Sequence, residues 1–93
     1  MIRSFTDRDT ARLWDRELVR RYPAELLRVM LRKLVQLDAA VRLEDLRAPE
    51  GNRLEKLRGP RAGRYSIRVN DQWRVCFEWA DGDAHEVEII DYH

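Results

Sequence analysis

Three runs between residues 65 and 90 carry large apolar residues on alternate positions, and that spacing leaves few folds open. Tyr65, Ile67 and Val69 alternate with Ser66, Arg68 and Asn70. Trp73, Val75, Phe77 and Trp79 alternate with Arg74, Cys76 and Glu78, and Val87 and Ile89 with Glu86, Glu88 and Ile90. Successive side chains on an extended chain point to opposite faces, so each run predicts a strand with one apolar face. Turn residues separate the runs, which makes an antiparallel meander the simplest arrangement.

Face matching refines the register. A two-residue turn at Asn70-Asp71 would set Ile67 against Arg74. A three-residue loop, Asn70-Asp71-Gln72, instead pairs Val69 with Trp73, Ile67 with Val75 and Tyr65 with Phe77, so the faces agree. It also sets Arg68 opposite Arg74, a like-charge pair that costs on the order of a few tenths of a kcal/mol. Either Glu88 or Glu78 neutralises the pair, or the face binds an anionic ligand. The next turn also asks for an odd loop, Ala80-Asp81-Gly82 or Asp81-Gly82-Asp83. A regular last strand then carries Tyr92 on the arginine face and Asp91 and His93 on the other.

Upstream the period is helical. Ala11, Trp14, Leu18 and Tyr22 predict a helix over roughly 8–21, with Thr6 or Asp7 as N-cap. Pro23 suits the first position of a second helix, whose apolar stripe is Leu27, Met30, Leu31, Leu34 and Leu37, with Arg28, Arg32 and Lys33 off it. Ile2 to Phe5 predicts a short strand, and residues 38–52 read as a loop ending in Pro49-Glu50-Gly51-Asn52. The expectation is α+β: one domain over residues 1–93, a helical hairpin packed on a small, mainly antiparallel sheet. A DNA-binding helix-turn-helix is the competing reading of the hairpin. Its stripes are better used in packing, and the densest basic block lies elsewhere.

The net charge of +1 hides that block. Residues 53–74 carry seven basic groups against Glu55 and Asp71, whereas residues 75–93 carry six acidic groups and no Lys or Arg. Sixteen of the 18 basic residues are arginine, whose planar fork suits bidentate phosphate contacts. A GC-rich genome supplies arginine by default, which accounts for residues 1–52 better than for the 53–74 block. One cysteine and two distant histidines offer no metal cluster, and no Gly-rich phosphate loop or serine nucleophile elbow is present. No metal and no cofactor are therefore expected. Lone Cys76, the lack of a signal-like N-terminus and the lack of a long apolar stretch make a cytoplasmic, non-membrane protein the default.

RNA cleavage suits these parts. The 2′-hydroxyl is an internal nucleophile, so the protein need only align it, move protons and stabilise phosphorane-like charge. Arginines can bind the phosphate, Tyr92 or His93 can handle protons, and aromatic rings can stack bases. By position alone His93 is expected to fray, as last residues do.

The stretch Leu54-Glu55-Lys56-Leu57-Arg58-Gly59, the run from Arg64 to Phe77 and the final Ile90-Asp91-Tyr92-His93 resemble the HigB toxins of the RelE-like superfamily. Ile2-Arg3-Ser4-Phe5 and the length fit as well. The resemblance implies a RelE-like fold and a type II toxin that cleaves mRNA in the ribosomal A site and so blocks translation. It implies as partners the 70S ribosome, mRNA and a HigA-like antitoxin with a helix-turn-helix domain, through which alone DNA is contacted. Arg58 and Arg74 match basic active-site positions, and Asp91, Tyr92 and His93 match the C-terminal catalytic cluster. Arg64 and Lys56 are RNA-binding candidates, to which the register adds Arg68. Where Glu55 stands some relatives carry histidine, so Glu55 either serves as a base or pairs with Arg58 or Lys56. Pro60 replaces a commonly acidic residue. Two alternatives stand beside the endoribonuclease: a non-catalytic RNA- or ribosome-binding module, and a gyrase inhibitor of the same superfamily.

Overall fold

A computed structural model describes residues 1–61 and 63–91. Its helices are α1 (Arg8–Trp14) and α2 (Leu27–Ala39), and its strands β1 (Glu55–Lys56), β2 (Tyr65–Arg68), β3 (Trp73–Ala80) and β4 (Asp83–Asp91). The strands form one antiparallel sheet in the order β1-β2-β3-β4. The N-terminal segment does not form a full strand. It meets β4 at two parallel bridges, Ile2 to Ala84 and Phe5 to Val87.

The β2–β3 register is the three-residue one, with Tyr65 on Phe77, Ile67 on Val75 and Arg68 on Arg74. Asn70 closes that loop, its Oδ1 accepting from the backbone N–H of Gln72 and Trp73. The second turn departs from expectation. Ala80 pairs with Asp83, leaving a two-residue turn at Asp81-Gly82 with φ of 55° and 78°. Positive φ at both positions is the type I′ geometry that matches strand twist. The parity lost there is restored by a bulge: Cys76 pairs with Glu88 but Glu78 with His85, so Glu86 and Val87 together face Phe77. Glu86 takes φ of 52°, and the N-terminal segment holds it, through Ser4 Oγ on its N–H and Thr6 Oγ1 on its carboxylate. Alternation counts residues; it does not see a bulge fixed by a segment some 80 positions away.

The first helix is shorter than the spacing predicts. Asp7 caps it, with its side chain accepting from the Asp9 N–H. It ends at Trp14 because Arg16 turns left-handed (φ 65°), and the N–H groups of Arg16 and Glu17 close on the carbonyls of Leu13 and Arg12. That is a Schellman stop with arginine where glycine is usual. The Arg16 guanidinium lies over the Trp14 ring, 4.9 Å from its centroid, and donates to the Trp14 carbonyl. Leu18 consequently faces solvent while Val19 and Tyr22 are buried. Pro23 precedes a 3₁₀ turn, Ala24–Leu26, rather than opening α2 itself.

Met30, Leu34 and Leu37 of α2 pack with Leu13, Val19, Tyr22, Ile67, Val75, Phe77, Val87 and Ile89 into one core. Thr10 ties α1 into it, accepting from the Ile89 N–H at 2.9 Å and bonded to the Tyr22 hydroxyl. Lys33, expected off the stripe, is buried. No described helix is long and apolar enough to cross a membrane.

Candidate functional site

Arg74 is a buried cation on the sheet face opposite the core. Register puts it beside Ser66 and Cys76, across from the apolar face. Only 7% of it is exposed, and a buried charge needs partners. Its Nε donates to Ser66 Oγ at 2.7 Å, and one Nη donates to the Arg53 carbonyl at 2.6 Å. The Glu55 carboxylate stands 3.9 Å from the other Nη. These contacts fix the plane of the guanidinium, the condition for stabilising charge that appears during a reaction.

The Arg53 carbonyl reaches Arg74 because the chain reverses there, with Arg53 left-handed at φ 43°. What secures the reversal is Asn52, which is fully buried. Asn52 Nδ2 lies 3.2 Å from Gln36 Oε1, Leu46 O and Ala48 O, and its Oδ1 accepts from Lys33 Nζ. One amide thus joins α2, the 3₁₀ turn at Leu43–Arg47 and the segment leading into β1. Burial, with the charges of Arg32 and Arg68 nearby, holds the Lys33 ammonium below the usual lysine range.

Asn52, Lys33, Ser66 and Arg53 carry no motif. Ser66 alone had a visible signal, being on the Arg74 face by alternation. Asn52 sits in what reads as a Pro-Glu-Gly-Asn turn, and its partners lie 4 to 19 residues away.

Among the described residues, each of the facing arginines has a partner other than Glu78 or Glu88. Arg68 pairs with Asp71, whose carboxyl is held below the usual range by that hydrogen bond and charge. Glu88 pairs with Arg64 at 2.9 Å, and Arg64 also donates to the Glu86 carbonyl. Arg58 is exposed on the 57–64 connection, which Leu57 closes by donating to the Arg64 carbonyl. Asp91 pairs with Trp73, one residue from Arg74, and accepts from Gln72 Nε2 at 2.9 Å. Ile90 sits opposite Arg74 on its face. Lys56 pairs with Tyr65 and so lies on the other side of the sheet from Arg74 and Glu55. Tyr92 and His93, and with them the expected sharing of the arginine face by Tyr92, lie outside the described residues. Arg58, Arg64, Arg68, Arg74, Glu55 and Asp91 thus come from β1, β2, β3, β4 and their connections, while Lys56 is separated from Arg74. Among the described residues no group of three or more His, Cys, Asp or Glu is placed to hold a metal ion.

The chain matches the HigB-like toxin family, described as the RelE-like toxin of type II toxin–antitoxin system HigB, over residues 3–93. It is 50% identical to Toxin HigB-1 of Vibrio cholerae over 62 residues, which are 67% of this chain and 65% of that protein. Against Endoribonuclease HigB of Proteus vulgaris it is 30% identical over 93 residues, the full length of both. Its fold superposes with a TM-score of 0.60 on a chain of the YoeB-YefM complex from Staphylococcus aureus, at 15% identity, covering 100% of this chain and 98% of that one. The chain therefore belongs to the HigB-like family of RelE-like toxins in type II toxin–antitoxin systems.

Proposed function

We propose that this toxin is a ribosome-dependent endoribonuclease that cuts mRNA in the decoding site and so arrests translation. The observation that carries the reading is its end-to-end similarity to the Proteus vulgaris endoribonuclease. The held guanidinium of Arg74 beside the Glu55 carboxylate supports it. In the reaction the 2′-oxygen bonds to phosphorus as the bond to the 5′-oxygen breaks, leaving a 2′,3′-cyclic phosphate and a 5′-hydroxyl. Arg74 and Arg58 take the charge on the phosphoryl oxygens, with Arg64 and Arg68 binding the strand. Glu55 or His93 removes the 2′-proton, and Tyr92, His93 and Asp91 serve proton delivery and its orientation. The partners are a HigA-like antitoxin with a helix-turn-helix domain, the 70S ribosome and mRNA, and the place is the cytoplasm. DNA is reached only through the antitoxin.

Primer extension on an mRNA translated with and without the protein tests this. New 5′ ends should appear within codons, and only when ribosomes are present. Ribosome association without new ends would favour a binding module. A DNA-damage response without a translation block would favour gyrase. His93→Ala should abolish cleavage while ribosome binding survives, and cutting at the wild-type rate would overturn the site assignment.

A further inference from the structure

Behind β1, on the side away from Arg74, lies a recess of about 280 Å³ lined by Leu43, Glu44, Arg47, Leu54, Lys56 and Tyr65. Small-molecule sites begin at roughly 300 Å³, so this one suits a single ring system with its substituents. Its lining combines three kinds of group. Tyr65 is half-buried and stacked on core Phe77, with centroids 6.1 Å apart and planes at 26°, which makes it a firm aromatic wall. Arg47 and Lys56 are exposed cations, and among the described residues neither is held in an ion pair. Glu44 is the one carboxylate in the lining.

We propose that this recess binds one nucleotide of single-stranded RNA adjoining the cleavage site. The base stacks on Tyr65, the phosphate lies between Arg47 and Lys56, and an exocyclic amine of the base donates to Glu44. Aromatic stacking beside phosphate-binding cations is the usual means of holding unpaired RNA. An acidic peptide would satisfy the cations but meet Glu44 as a like charge and leave the ring unused. The inference rests on the RNA-cleaving reading and explains why Lys56 faces away from Arg74. Glu55 and Lys56 are neighbours on the outermost strand, so their side chains point to opposite faces. A strand held at Glu55 and Arg74 has only the two residues of β1 to cross before reaching Lys56.

Adenine, cytosine and guanine carry the amine and uracil does not, so a uridine-only strand should bind most weakly. The test titrates the full chain with 2′-O-methyl trinucleotides, which lack the nucleophile and stay intact, and follows backbone amide shifts by NMR. Shifts are expected at residues 43–47, 54–56 and 65. The double variant Arg47→Glu, Lys56→Glu changes only exposed side chains and should weaken binding at least tenfold. Glu44→Gln should narrow the preference over the uridine strand. Shifts confined to the Arg74 face, or equal affinity in the double variant, would overturn the proposal. Primer extension separates the two readings. Cleavage without shifts in the recess removes the recess alone, and shifts without cleavage remove the endoribonuclease while the nucleotide site remains.

Discussion

The two faces of the β2–β3–β4 sheet are built from alternate residues of the same strands and are held by different forces. One face carries Ile67, Val75, Phe77, Val87 and Ile89, all fully buried against Met30, Leu34 and Leu37 of α2. Its stabilisation follows area removed from water, about 25 cal/mol per Å², and does not depend on any single partner atom. The other carries Ser66, Arg74 and Cys76, also buried, but there a hydroxyl, a carbonyl and a carboxylate each meet one guanidinium. Burial is similar; tolerance is not. The apolar face can be repacked at moderate cost, whereas the polar face fails when one acceptor is lost.

That contrast can be broken or sharpened by substitution. Leu34→Ala, on the helix that covers the apolar face, should cost about 2–5 kcal/mol of stability through lost burial and a cavity, while activity per folded molecule stays near wild type; chemical denaturation with an active-fraction assay checks both. Asn52→Ala should cost about 3 kcal/mol, because it strips Lys33 and two carbonyls of their partner. It should also lower cleavage by more than the folded fraction explains, since the Arg53 carbonyl loses its anchor. If stability falls and activity per folded molecule does not, Asn52 is structural only. Ser66→Ala should leave the melting transition within a few degrees of wild type but lower cleavage roughly tenfold, about 1.4 kcal/mol of transition-state stabilisation. Equal activity would mean that the Ser66 hydroxyl is dispensable for orienting Arg74.

The smallest effect concerns Lys33. Its folded pKa lies below the unfolded value, so between the two the unfolded chain binds more protons and stability rises with pH. Below the folded value the penalty is constant. Wild type should therefore gain stability relative to Lys33→Met as pH rises toward the unfolded lysine value of ~10.4. Tyr22, whose phenol is pushed up by burial, acts in the opposite sense only above the ordinary tyrosine range. Parallel pH profiles for the two proteins would remove Lys33 from the account.

The meander, the β2–β3 register and the meeting of Arg68 with Arg74 were legible in the chain, because alternation and a three-residue loop are local facts that face matching converts into pairing. The length of α1 was not. Leu18 keeps helical spacing, but the left-handed turn at Arg16 ends the helix before it. The parity of the second turn is hidden from the sequence for the same kind of reason, since the bulge at Glu86 depends on Ser4 and Thr6. Of the candidate site, Arg58, Arg64, Arg74, Glu55 and Asp91 follow from the resemblance and Arg68 from the register; the residues that hold Arg74, namely Ser66, Arg53 and Asn52 behind it, do not.

By itself the sequence determined what repeats along the chain: period, charge blocks and a family-specific run of residues. Only the tertiary structure decided which buried acceptors hold Arg74 and that Lys56 faces away from it. Hydrogen bonds to a buried charge are set by three-dimensional proximity between distant segments, and no periodicity in the chain records that distance.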